Sequence, residues 1–408
     1  MTPFLQFVII LVIIIIAAKA GGYVSLKLGQ PSVLGELLAG LILGPSLLDL
    51  LHLAPFTDKH LGESVAHIAE LGVLLLMFIA GLDLHLSDLA KSGKVSALAG
   101  TLGVLVPLGL TYVTARLFGF SNQGALFTGL ILAATSVSIS AQTLMELRVL
   151  RSRVGIALLG AAVFDDVLVV LGLSVFTALV LGDAGGLLSI AGIAGKMIAF
   201  LMVGTAAGFY LLPRLTRQVN TLPISQGLIA FTFVVLLLYA WSAEVLGGMA
   251  SITGAFLAGL MFARSPLHER IENGISTLAY GVFVPIFFIN VGLSANAREL
   301  DGSGVWLLLV LTAVALISKL LGGWIGARLA GFTNLESWQL GAGLISRGEV
   351  GLIVATVGIT ENIIRAELFS VMVGVVILTT LLTPPILRAL FARQARPPIA
   401  QPSQRSES

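Results

Sequence analysis

The chain has 408 residues, of which 57% are apolar and only 11% charged, and its mean hydropathy is +1.02, a composition that no water-soluble fold can hide. The stretches between apolar runs are short, which excludes a soluble catalytic or regulatory domain of ordinary size and puts the function inside the membrane part. The lack of cysteine removes disulfide frameworks, thiolate metal sites and cysteine nucleophiles, while the net charge of +2 carries information only through its distribution.

A spanning helix needs about 20 mostly apolar residues. That rule predicts thirteen runs, near 3–26, 31–50, 65–86, 95–119, 122–147, 152–181, 187–213, 222–244, 249–264, 274–294, 303–330, 335–360 and 366–391. The first apolar stretch, Phe4 to Ala18 within run 1, has no basic residue ahead of it and is followed by Lys19 and Lys27, the reverse of a secretory signal's charge order. It therefore reads as an uncleaved helix starting outside, rather than a signal cut near Ala18-Lys19-Ala20. With an odd number of crossings the termini lie on opposite sides. One side then holds Lys19, Lys27, Lys91, Lys94, Arg148, Arg151, Arg153, Arg214, Arg217, Arg264, Arg270, Arg328, Arg388, Arg393, Arg396 and Arg405, and the other only Lys59, Arg116, Arg298 and Arg365. By the positive-inside rule the C-terminus is cytoplasmic and the N-terminus is expected outside. A transmembrane unit over 1–395 and a short tail over 396–408 complete the expected organisation. Lys196, Lys319 and Arg347 remain at membrane depth and need explanation.

Run 2 contains Gly35-Glu36-Leu37-Leu38-Ala39-Gly40-Leu41, echoed in run 9 by Gly254-Ala255-Phe256-Leu257-Ala258-Gly259-Leu260. A weaker echo sets Gly72, Phe78 and Gly81 of run 3 against Gly281, Phe288 and Gly292 of run 10. The offset is seven helices, so equivalent helices enter from opposite faces. That predicts an inverted-topology repeat, roughly 31–213 against 249–391, the architecture of secondary transporters.

Run 5 carries the hydroxyl-rich Ala134-Thr135-Ser136-Val137-Ser138-Ile139-Ser140, and run 12 carries Gly341-Ala342-Gly343-Leu344-Ile345-Ser346-Arg347-Gly348-Glu349-Val350-Gly351. Both read as helices broken at membrane depth, at equivalent places in the two repeats, where unwound carbonyls can ligate a cation. An unbroken helix with hydroxyls bonded back to its own carbonyls is the alternative for run 5. Arg347 would end one half-helix and Glu349 begin the next, each with the sign its helix dipole favours, so charge compensation outweighs a direct ligand role for both.

Run 6 places Asp165 and Asp166 side by side in an otherwise apolar helix, about 20 Å in at 1.5 Å per residue. Charges at that depth are costly and normally face a cavity or a partner. Consecutive residues diverge by about 100°, so one Asp is expected to face a cavity while the other reaches a neighbouring helix. Lys319 in run 11 is the natural counter-ion, and Lys196 is expected to snorkel. Glu36, Glu70, Asp83 and Glu146 are expected towards helix ends near water, as are His52, His60, His67, His85 and His268 near loops. No histidine pair has metal-ligand spacing and no glycine loop of the P-loop type is present, so neither a bound transition metal nor an ATP-driven pump is expected.

At these residues the sequence resembles the bacterial sodium/proton antiporters of the NapA and NhaA kind, within the cation:proton antiporter superfamily. The resemblance runs through most of the chain and is most specific at Thr135-Ser136 with Leu144-Met145-Glu146-Leu147, at Gly160 to Asp166, at Lys319, and at Ser346-Arg347-Gly348-Glu349-Val350-Gly351. It implies an all-α polytopic homodimer of thirteen helices in the lipid of a bacterial inner membrane, with a dimerisation panel, two crossed discontinuous helices and a mobile core moving like an elevator. It implies Asp166 as principal carrier of Na⁺ and H⁺, Asp165 as partner of Lys319, and Thr135 and Ser136 beside the ion. The only metal expected is the transported Na⁺ at Asp166 and Asp165, with Li⁺ an alternative and no cofactor or nucleic-acid partner. Related potassium efflux systems usually show Gln-Asp and electroneutral relatives Asn-Asp where this chain has two Asp, so the resemblance implies electrogenic exchange and a role in pH homeostasis.

The residues alone leave open a K⁺/H⁺ exchanger, an ion channel and sodium-coupled uptake of an organic anion. An intramembrane aspartyl protease needs two acids on different helices facing one bond, whereas Asp165 and Asp166 are consecutive and point apart. A transporter, not an enzyme, is expected.

Overall fold

The structure is a computed structural model that describes residues 1–54, 56–84, 91–180, 186–293, 298, 302–360 and 363–392. The expected tail over 396–408, together with His85, lies outside the described residues. Among the described residues the regular structure is helical, without strands. In chain order the helices are α1 (Pro3–Lys27), α2 (Ser32–Leu43), α3 (Leu61–Leu82), α4 (Gly93–Leu117), α5 (Asn122–Ala133), α6 (Val137–Glu146), α7 (Arg153–Val180), α8 (Gly186–Tyr210), α9 (Leu212–Thr221), α10 (Gly227–Val245), α11 (Ser251–Phe262), α12 (His268–Leu278), α13 (Val284–Leu293), α14 (Gly302–Leu329), α15 (Asn334–Gly343), α16 (Glu349–Thr360) and α17 (Ala366–Ala392). A π-turn at Ala279–Phe283 joins α12 to α13.

Ten helical stretches among the described residues are long and apolar enough to cross a membrane, and α2 and α11 are shorter apolar helices. The chain is a multi-pass membrane protein. Its outer faces carry exposed Val12, Ile16, Met202, Val203, Leu238 and Leu309, side chains suited to lipid rather than water. Polar capping fixes several helix starts. The Thr2 hydroxyl accepts from the Leu5 amide with Pro3 at the first helical position, and Thr333 and Glu336 form a reciprocal capping box at α15.

Several expected boundaries shift, with run 3 beginning earlier at Leu61 and run 8 later at Gly227. Run 2 stops at Leu43, where Gly44 and Pro45 end the helix. Run 7 is divided after Tyr210, and Pro213 sits in the first turn of the separate α9. Run 10 begins earlier, at His268, because the π-turn carries α12 into α13 without a loop.

The helices pack in two sets. α4, α5, α7, α14, α15 and α17 lie against one another, as do α1, α2, α3, α10, α11 and α13, while α6 touches both. Small residues let backbones meet in the second set: Gly40 of α2 rests on Ile289 and Gly292 of α13, and Gly259 of α11 rests on Phe78 and Leu82 of α3 with no room for a Cβ.

Candidate functional site

Run 5 is interrupted. α5 ends at Ala133, Ala134 and Ser136 are extended, and α6 begins at Val137. Run 12 is interrupted as well, between Gly343 of α15 and Glu349 of α16. The two gaps meet. The Ser136 amide donates to the Ser346 carbonyl at 2.8 Å, and the Ser346 hydroxyl donates to the Ser136 carbonyl at 2.7 Å. Ser140 adds a hydroxyl bond of 2.6 Å to the Gly343 carbonyl. Backbone groups that unwinding would leave open in hydrocarbon are thus paired across the gap. Gly348 is required there, because a Cβ would lie 2.5 Å from both Cβ and Oγ of Ser136.

Arg347 is fully buried. Its Nη1 donates to the Leu344 and Ile345 carbonyls at 3.2 and 2.8 Å, and its Nη2 to Ala315 at 3.0 Å. A cation thus caps the C-terminal end of α15, where the helix dipole is negative. Glu349 opens α16, while its side chain lies outside the described residues.

Asp165 and Asp166 sit mid-way along α7, both buried, at 1% and 5% exposure. They face different neighbours. On one side Lys319 of α14, fully buried, spends its three ammonium protons on the Gly103 carbonyl (2.6 Å), the Ala133 carbonyl (2.6 Å) and Asp165 Oδ1 (2.8 Å). Thr135 faces the same carboxylate without closing a bond of ordinary geometry, so Asp165 Oδ2 and Thr135 Oγ1 stay buried without a hydrogen-bond partner. On the other side Asp166 meets Thr253 of α11, whose hydroxyl lies 3.4 Å from Oδ2. A cavity with about 10 Å³ of free space opens there, lined by Asp166, Thr253, Met77, Val137, Ala162 and Phe256 among others, room for about one water.

The structure thus brings Asp165, Lys319 and Thr135 together, sets Asp166 beside the start of α6 at Val137, and ties Ser136 to Ser346. Lys196 is exposed on α8. Of the four acids expected towards helix ends, Glu36 and Glu70 depart from expectation. Glu36 is buried at 7% exposure, on the face of α2 towards Gly22 of α1. Glu146 does end its helix, and there it accepts from the Ser32 amide at 2.6 Å, the Ser32 hydroxyl at 2.5 Å and Gln142 at 2.8 Å, capping α2 from the end of α6. Glu70 lies mid-way along α3 and lines a second cavity rather than a helix end. Asp83 does end its helix, paired with Arg151 at 2.9 Å. Sequence reasoning missed Thr253, a hydroxyl one residue ahead of the run 9 echo. It also missed the Gly103 and Ala133 carbonyls, which leave no trace in side-chain identity.

Comparison with known proteins places this arrangement in a class. The family model described as "Sodium/hydrogen exchanger, transmembrane" matches residues 8–393, and the chain belongs to that family of transporters. It is 38% identical over 381 residues to the probable Na⁺/H⁺ antiporter GerT of Bacillus cereus, covering 93% of this chain and 98% of that one. It is 35% identical over 386 residues to the Na⁺/H⁺-K⁺ antiporter GerN of the same organism, covering 95% and 96%. In fold it is similar to the sodium proton antiporter MjNhaP1 of Methanocaldococcus jannaschii, with a TM-score of 0.68 over 97% of this chain and 98% of that one at 18% identity.

Proposed function

We propose that the chain is a secondary antiporter exchanging Na⁺ for H⁺ across a bacterial cytoplasmic membrane, with Asp166 as the carrier. The observation that carries this reading is the division across α7, where Asp165 is locked to Lys319 and Asp166 borders a cavity of about 10 Å³ beside the interrupted helices. A dehydrated Na⁺ and a proton compete for the same carboxylate oxygens, so they exclude each other. A carboxylate bearing neither is a charge at membrane depth, which resists passage across the bilayer. If the core changes sides only when Asp166 is neutralised, exchange is obligatory and either gradient drives the other.

In this reading thirteen segments span the bilayer, ten of them the long stretches that include the interrupted α5–α6 pair, α2 and α11 short ones, and the interrupted α15–α16 pair the last. The N-terminus lies outside and the C-terminus inside. The chain is a homodimer in which α4 to α7 and α14 to α17 form the mobile core, moving like an elevator against a panel built from the second helix set. Support comes from the packing of each set on itself. The inverted repeat is supported by paired contacts: α2 meets α13 at Gly40 and Gly292, and their repeat equivalents α11 and α3 meet at Gly259 and Gly81. The double Asp with Lys319 supports electrogenic exchange, in which Na⁺ disrupts the Asp165–Lys319 pair and frees a further proton.

The test is Na⁺-driven proton flux in proteoliposomes, with Asp166→Asn expected to abolish it while the protein stays folded. Undiminished flux in that variant would refute the assignment. Transport of K⁺ is a second reading, favoured by the name of GerN, and competition among Na⁺, Li⁺ and K⁺ separates the two.

A further inference from the structure

Glu70 is the tenth residue of α3, about 14 Å from the helix start at 1.5 Å per residue. It is exposed. A carboxylate at that depth faces a water-filled space rather than lipid. That space is a cavity of about 180 Å³ whose lining includes Glu70, Asn290, Val73, Ile139, Phe287 and Gly348. It has room for a cation with several waters, and its polar side chains are an acid and an amide, both of which offer oxygen to a hard monovalent ion.

The two cavities lie along one seam. On α3 the larger is lined by Val73 and the smaller, at Asp166, by Met77, one helical turn further on. On α6 the corresponding residues are Ile139 and Val137. The larger cavity also reaches Gly348, inside the interruption between α15 and α16. It lies nearer the α3 start at Leu61, whereas Met77 is five residues from the α3 end.

We propose that the Glu70–Asn290 cavity is a second cation station, a vestibule where an incoming, partly hydrated monovalent cation waits before passing between α3 and α6 to Asp166. The inference rests on Asp166 being the carrier. Glu70 raises the local cation concentration by its charge and selects against anions, while Asn290 replaces part of the hydration shell. The vestibule serves the face on which α1 and α3 begin, which the distribution of Lys and Arg makes the outside.

Glu70→Gln is expected to raise the apparent KM for Na⁺ supplied to that face about tenfold, leaving the KM from the opposite face within twofold and the maximal rate little changed. Glu70→Asp, which keeps the charge, should stay near the unmodified protein. Because the chain has no cysteine, Ala66→Cys, on the cavity wall, reports water access independently. A membrane-impermeant thiol reagent should modify it from the face where α1 begins, and only from there. An active Glu70→Gln with unchanged KM on both faces, or with equal shifts on both, overturns the vestibule, as does labelling from the opposite face or from neither. An unmodified protein with no cation-driven proton flux sinks the exchange reading itself, a result distinct from each of these.

Discussion

The two sides of α7 treat chemically identical side chains in opposite ways. Towards α4 and α14, Asp165 is held by an ammonium whose three protons are all spent within 2.8 Å. Towards α3 and α11, Asp166 has a hydroxyl at 3.4 Å and a small cavity. A buried charge is tolerable when its partner is fixed, and useful when its partner can be exchanged. One turn of helix supplies both conditions, because adjacent residues point about 100° apart.

The sharpest way to break this comparison is to neutralise each carboxylate in turn. Asp166→Asn should remove Na⁺-dependent proton flux altogether with little loss of thermal stability, and a stable variant that still exchanges would end the assignment. Lys319→Gln should do the converse in stability, because it leaves Asp165 buried without its partner, at a cost of about 3–5 kcal/mol. Adding Asp165→Asn should recover most of that loss in a thermal-unfolding assay. If the double variant is no more stable than the single one, the pair is not what holds this side together. Lys319→Gln should also reduce the response of transport to membrane potential, and an undiminished response would count against electrogenic coupling through the pair.

Smaller changes sharpen the contrast. Gly348→Ala forces a methyl against Ser136 and should cost about 1–3 kcal/mol, with slowed exchange. A normal melting temperature would mean that the gap relaxes without penalty. Thr253→Val removes only the hydroxyl near Asp166. About 1 kcal/mol of lost interaction should raise the KM for Na⁺ by about fivefold, and an unchanged KM would remove Thr253 from the site.

Much of this was legible in the sequence because the bilayer simplifies the code. Apolar runs gave the helices, and the breaks at 134–136 and 344–348 announced themselves through Ser, Thr and Gly where Leu and Ala belong. The Asp165–Lys319 pair followed from the rule that charge at depth seeks charge. Glu36 and Glu70 were misjudged for one shared reason. Position along a helix says how deep a residue lies, not what the next helix offers it. Glu36 is buried against Gly22 of α1, and Glu70 meets a cavity between α3 and α13. Both are tertiary facts with no periodicity to betray them. The short α2 and the π-turn at Ala279–Phe283 escaped likewise, since hydropathy counts residues without seeing how each helix is wound.

The exchange of bonds between Ser136 and Ser346 has a consequence for how such a protein can be built at all. Without its partner gap, the Ser136 amide and the Ser346 carbonyl would lose the bond they share at membrane depth. Two interruptions placed back to back cancel each other's deficit, donor for acceptor. A change that re-coils one gap therefore takes from the other the partner of its Ser136 or Ser346 backbone group.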